Sequence, residues 1–171
     1  METPEEAVLN RISWITLAVL MALITLFAVA RLRYEGKALV KLRADDCDPE
    51  LWKHVNEKER LRVLESCTAV EGRVLSLYRA SDGDLHVALD PEHKSVLNLV
   101  NVIHAHGALV VEIICEHAAD DASDRAACGS LHSRITVPHV GDRVRVTGAY
   151  VTDRDNGWNE VHPVTRIEIL H

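Results

Sequence analysis

The sequence lacks the short motifs that would identify a function directly. It contains no glycine-rich phosphate-binding loop, no G-x-S-x-G nucleophile motif and no CxxC pair. Aromatic side chains make up only 4% of the 171 residues, and phenylalanine occurs once. These absences argue against a P-loop nucleotide site, a serine nucleophile elbow and a paired-cysteine zinc site.

Basic residues are also in deficit, with 19 Lys and Arg against 26 Asp and Glu, which gives a formal net charge of −7. Nucleic-acid binding depends on neutralisation of phosphates by Lys and Arg, so this balance disfavours a general phosphate binder. Only Tyr78, Tyr150 and Trp158 are plausible stacking groups for bases. The sequence therefore predicts that nucleic acid is not the partner.

Charge is absent from Ile12–Ala30, an apolar run preceded by the polar tail of residues 1–11. A helix of this length spans about 28 Å, close to the thickness of a bilayer core. We expect residues 12–30 to form a single-pass membrane anchor. The alternative is a cleaved signal peptide, because Ala28-Val29-Ala30 has the small-x-small form of a cleavage site. The length of the run and the acidic residues before it favour the retained anchor.

The four cysteines all follow the apolar run, and their spacing predicts two disulfides, Cys47–Cys67 and Cys115–Cys128. The second bridge would tie down a polar loop. The first requires a short helix near Pro49–Asn56, capped by Asp48, and then a returning strand. The alternative is four buried thiols.

Two signals disagree about membrane orientation. Positive residues crowd the C-terminal side of the apolar run, which favours a cytoplasmic domain. Two disulfides favour an oxidising compartment, and we give them more weight. The prediction is a cell-membrane protein with its C-terminal domain outside the cytoplasm.

The rest of the chain divides into a linker with a short helix, residues 31–66, and a β-patterned domain, residues 67–171. A hairpin is predicted around the turn Ser81–Asp84, followed by an apolar strand, Ala108–Cys115, in which Glu112 is an isolated charge. A turn and two alternating strands complete the pattern. We predict a mainly β fold, a small five-stranded OB-like barrel, with an Ig-like sandwich as the second choice.

The segments DGDLHVAL, GALVVEIIC and GDRVRVTGAYVTDRDNGWNEVHPVTRIEI resemble an OB-fold-like domain of uncharacterised bacterial proteins, with the GWNEVHPV element as the distinctive C-terminal motif. The resemblance covers about Cys67 to Ile169. It implies a fold and carries no established activity.

Two pairs of side chains are candidates for chemistry. Asp84-x-His86 begins one predicted strand and Glu160-x-His162 begins the last. Residues two apart on a strand share a face, so each pair presents a carboxylate with an imidazole, and barrel closure would bring the pairs together. Such a set suits a divalent metal such as zinc, or acid–base chemistry. The alternative is four structural side chains. Trp158 and Asn159 are candidate ligand-binding residues.

The sequence favours a membrane-anchored extracytoplasmic binding module for a protein or a small ligand, with neither catalysis nor a cofactor expected. A metal-dependent hydrolase that uses the His/carboxylate set is the first alternative. A nucleic-acid-binding OB domain is the second.

Overall fold

The computed structural model describes residues 16–27, 40–41 and 46–171. The chain divides into two units, Met1–Lys37 and Ala38–His171. Residues 16–27 are helical and form α1. Within the described ranges, no helix has both the length and the apolar character needed to cross a membrane. The two ends of the predicted anchor and the Ala28–Ala30 cleavage motif lie outside the described residues.

The second unit is mainly β, and five of its strands close into a ring. The strands are β1 (Val40–Lys41), β2 (Leu61–Arg79), β3 (Leu85–Pro91), β4 (Leu109–Ile113), β5 (Arg143–Asp153) and β6 (Asn159–Ile169). Two short helices, α2 (Leu99–His104) and α3 (Ala122–Cys128), follow β3 and β4, and single 3₁₀ turns occur at Pro49–Lys53, Lys58–Arg60 and Lys94–Val96.

The order of strands around the ring is β2-β3-β4-β6-β5, and β5 pairs back onto β2. All neighbours are antiparallel except β4 and β6, which run parallel. The 19-residue β2 pairs with two strands of the ring, since Gly72 pairs with Pro91 of β3 and also with Val144 of β5, and it pairs with β1 as well. A Cβ at Gly72 would lie 2.5 Å from the backbone oxygen of Asp90, so the close approach of the two strands requires glycine here.

Alternation along the strands fills the ring with apolar side chains. In β3 every second residue is buried, as expected for a strand with one face on a core. All five residues of β4 are buried, so both of its faces are covered. The interior cluster includes Val74, Val87, Leu89, Val111, Val146 and Val161.

A second apolar cluster covers the outside of the ring. It joins the 3₁₀ segment after Cys47 to the loop between β4 and α3, through Val55, Leu61, Ile114, Cys115, Ala149 and Val151. Both predicted disulfides are confirmed, Cys47–Cys67 and Cys115–Cys128, each with a Cα–Cα distance of 5.7 Å. The Asp48 side chain caps the 3₁₀ turn by accepting the Glu50 N–H, as the sequence predicted.

The start of β2 and the stretch after β3 differ in detail from what the sequence predicted. Strand β2 begins at Leu61, within the stretch that the sequence divided off as a linker, because Leu61 is buried and pairs with Asp153. The ambiguous stretch after β3 forms a 3₁₀ turn and then α2. The Asn98 and Asn101 side chains bond each other's backbone N–H in a capping box, which fixes the start of α2.

Candidate metal centre

Three neighbouring strands place a row of ionisable side chains on one face of the sheet. His86 on β3 lies directly opposite Glu112 on β4. The parallel pairing of Val111 with Val161 places His162, the next residue on β6, beside Glu112. Because side chains alternate along a strand, this row faces away from the interior core.

The centre of the row is a contact between an imidazole and two carboxylates. His162 Nδ1 lies 2.6 Å from Glu112 Oε2 and 3.2 Å from Glu160 Oε1. Only the second contact has hydrogen-bond geometry, and Glu112 Oε2 has no hydrogen-bond partner among the described residues, so the first is an ion pair. His162 Nε2 likewise has none in that part of the chain. His86 Nε2 lies 3.5 Å from the other Glu112 oxygen, Oε1.

Asp84 approaches the same point from the turn before β3. Its Oδ1 accepts the backbone N–H of Cys115 at 2.8 Å, and its own N–H donates to Asp82 Oδ1 at 3.0 Å. One potential ligand atom from each of Asp84, Glu112 and His162 lies within 4.8 Å of the other two. We call these three residues the ligand cluster. Metal–ligand distances are about 2.0–2.2 Å, so two ligands of one ion lie at most about 4.4 Å apart. Small side-chain rotations would therefore bring the three ligand atoms within bonding distance of one ion.

Burial and charge set the protonation of the cluster. Asp84, Glu112 and His162 are 9%, 2% and 1% exposed. Burial raises the pKa of Asp84 to about 6, although the Cys115 N–H opposes the shift. Burial alone would lower the pKa of His162, but the adjacent Glu112 and Glu160 carboxyls outweigh it and raise that pKa. The two glutamates therefore hold His162 in its protonated form, and a metal ion that binds this ring has to displace the proton.

The two glutamates differ in their preference for the charged form. Burial raises the pKa of Glu160, whose Oε2 also accepts the Trp158 Nε1–H at 2.9 Å. Burial opposes ionisation of Glu112 too, but the His162 charge lowers the pKa of Glu112 below its ordinary value. Glu112 is therefore the carboxylate that is held ionised beside the imidazole.

A polar cleft of about 400 Å³ adjoins the centre and shares Glu112 and His86 with it. Arg60 is the one Lys or Arg among the described residues that line the cleft, and it pairs with the fully buried Asp153. The acidic side chains around the cleft come from several separate segments, namely Glu57, Asp82, Glu112, Asp121, Asp124, Asp153 and Asp155. This lining attracts cations and repels anions.

The four residues singled out in the sequence, Asp84, His86, Glu160 and His162, lie at or beside this centre. Sequence reasoning left out Glu112, which contacts both histidines and joins the two pairs. Its signal was its position as a single charge inside the most apolar strand. Whether any of these residues binds a metal stays a prediction.

The two predicted ligand-binding residues have partners within the domain. Trp158 is half-buried and donates its ring N–H to Glu160. The Asn159 side chain bonds Tyr150 Oη at 2.7 Å and Thr152 Oγ1 at 2.9 Å. These contacts support structural roles, and ligand binding by either residue stays a prediction.

The chemistry of the ligand cluster is specific enough to rank cations. Two carboxylates and one imidazole suit Zn²⁺, Mn²⁺ or Fe²⁺, whereas Ca²⁺ prefers six to eight oxygen ligands.

Comparison with protein-family models and with curated proteins finds no match to this chain.

Proposed function

We propose that the domain is an OB-like binding module that holds a divalent transition-metal ion at Asp84, Glu112 and His162. The OB-like description is supported by the order of the five strands, by the parallel pairing of β4 with β6, and by the long β2 that pairs at both ends of the sheet. The metal is the small ligand of the module.

The observation that carries the proposal is the convergence of three buried ligand groups from three separate segments. Burying ionised groups costs several kcal/mol each unless they are well compensated. Here the His162 imidazole compensates Glu112 and Glu160, but its own Nε2 has no hydrogen-bond partner among the described residues. A divalent ion that displaces the imidazole proton would bind this ring together with the carboxylates of Asp84 and Glu112, and would supply the positive charge in its place.

The burial of the ligand cluster also favours a metal-binding module over a metal-dependent hydrolase. A catalytic metal keeps an open position for water and substrate, whereas a closed site leaves the ion little access. Glu112 and His162 are almost fully buried, so the geometry favours a closed site. The acidic lining of the cleft further disfavours phosphate esters and nucleic acids as ligands.

We expect Zn²⁺ or Mn²⁺ to raise the thermal unfolding temperature of the metal-free protein. An ion present at 100 times its dissociation constant stabilises the folded state by about 2.7 kcal/mol. The matched variant is Asp84→Asn, whose side-chain oxygen still accepts the Cys115 N–H but loses the ligand charge. Calorimetry should show a rise for the wild type and little or none for the variant. Equal rises in both, or none in the wild type, would contradict the proposal.

The two disulfides support a location outside the cytoplasm, and the apolar run at residues 12–30 supports attachment to a membrane. We expect a reporter enzyme that folds only outside the cytoplasm to be active when fused after His171, and the fusion to sediment with membranes. A reporter that folds only in the cytoplasm serves as the control. Activity of the control fusion alone would mean that the domain is cytoplasmic, as the positive residues after the apolar run predict, and that the argument from the cysteines is wrong.

A further inference from the structure

The loop between β4 and α3, which adjoins the metal centre, is closed by one disulfide. Cys115 lies two residues after the end of β4, and Cys128 is the last residue of α3. The stretch between them contributes Asp121, Ser123 and Asp124 to the cleft beside the row of ionisable side chains. Cys115 is 2% exposed and has a left-handed backbone, with φ of 54°, which a non-glycine residue adopts only when its surroundings hold it there.

This strained residue contacts the ligand cluster itself. The backbone N–H of Cys115 donates to Asp84 Oδ1 at 2.8 Å in a buried position. The same loop bonds the turn that carries Asp84, through His117 N–H to Gly83 O at 3.1 Å and Asp120 N–H to Ser81 O at 2.8 Å. The loop and the turn therefore form one hydrogen-bonded unit that orients Asp84.

At the other end of the bridge, Cys128 ends helix α3, which lines part of the cleft. Helix α3 contributes Asp124, which accepts a hydrogen bond from the Asn56 side chain, and His54 Nδ1 lies 3.0 Å from the Ala127 oxygen. Cys128 is half-buried, whereas Cys115 is 2% exposed.

We propose that the Cys115–Cys128 disulfide positions Asp84 in the metal centre, so that the affinity of the centre for a divalent ion depends on whether this bridge is oxidised. The inference rests on the proposed metal site. Reduction breaks the S–S bond, and a dithiol reductant supplies the two electrons and two protons that convert the bridge into the Cys115 and Cys128 thiols. The reductant itself becomes a disulfide. Cys115 is then free to leave its left-handed conformation, and Asp84 loses a fixed N–H donor.

The test compares the two bridges by titrating Mn²⁺, which has little preference for thiolates, into the full chain. A Cys47→Ser/Cys67→Ser variant retains only the Cys115–Cys128 bridge. A Cys115→Ser/Cys128→Ser variant retains only the bridge between the 3₁₀ segment and β2. We expect the first variant to bind Mn²⁺ like the wild type, and the second to bind at least tenfold more weakly. Thermal unfolding of both shows how much stability each bridge contributes.

A purely structural bridge would lower the unfolding temperature without changing the affinity of protein that is still folded. Equal affinity in both variants would therefore overturn the inference while leaving the metal site standing. No Mn²⁺ or Zn²⁺ binding by the oxidised wild type would instead overturn the proposed function. If the second variant does not fold, phosphine reduction of the Cys47→Ser/Cys67→Ser protein in the cold removes the same bridge. Unchanged affinity after that reduction would also overturn the inference.

Discussion

Replacing His162 with alanine is expected to lower the free energy of unfolding by about 3–5 kcal/mol and to abolish metal binding. The reason is that Glu112 and Glu160, which are 2% and 0% exposed, lose the imidazole that compensates them, and breaking a buried ion pair from one side costs this much. A domain of this kind has only about 5–15 kcal/mol of total stability. Denaturant unfolding, with metal titration of the folded fraction, measures both effects.

Two matched variants separate charge from packing at this position. His86→Ala removes the other imidazole near Glu112. Because His86 is partly exposed and its Nε2 lies 3.5 Å from Glu112 Oε1, this substitution should lower the free energy of unfolding much less. Adding Glu112→Gln to His162→Ala should recover part of the lost stability, because an amide needs no compensating cation. A double variant as unstable as His162→Ala, or a His86→Ala variant that loses as much, would show that charge compensation is not the cause.

Replacing Asn101 with alanine is expected to destabilise the domain by about 3–5 kcal/mol, which is at the upper end of single substitutions. Asn101 is fully buried, and its side chain donates to Ala108 O at 3.1 Å and to Asn159 O at 2.8 Å. It also accepts the N–H groups of Asn98 and Asn159. Each of these buried groups left without a partner costs about 1–3 kcal/mol, although relaxation makes the sum smaller. Chemical denaturation measures the loss.

Val102→Ala is the control on the same helix, since Val102 is exposed and should change stability by no more than about 0.5 kcal/mol. Asn101→Asp keeps the acceptor oxygen but can no longer donate to the two carbonyls. It should therefore be about as damaging as alanine. Near-normal stability of either Asn101 variant would mean that water replaces the lost hydrogen bonds.

Much of the strand pattern was predictable because its signals are local. The hairpin at Ser81–Asp84 and the alternation in β5 each lie within a few consecutive residues, and period-two burial follows directly from strand geometry. The disulfide pairs were predictable because the polar stretch after Cys115 would be closed by a bridge, and because the alternation at Arg60–Val63 predicted a strand and so limited the first helix to a short one.

The centre of the site was not predictable in the same way. Glu112 joins the two predicted pairs because β4 and β6 run parallel and in a particular register, and that pairing connects residues about 50 positions apart. No local pattern reports such a register. An isolated charge in an apolar strand indicates that a partner exists, but the partner's identity comes from tertiary structure alone.

The closure of the ring also determines when the domain can fold. Leu61 on β2 pairs with Asp153 on β5, about 90 residues later, and β6 must then fit between β5 and β4. Contacts this distant in sequence form slowly, because the intervening chain must first lose its freedom. A nascent chain that has not yet produced β5 and β6 leaves β2 with an unpaired edge, which is prone to wrong associations. Folding of this domain is therefore expected to follow the synthesis of β6 and not to accompany it.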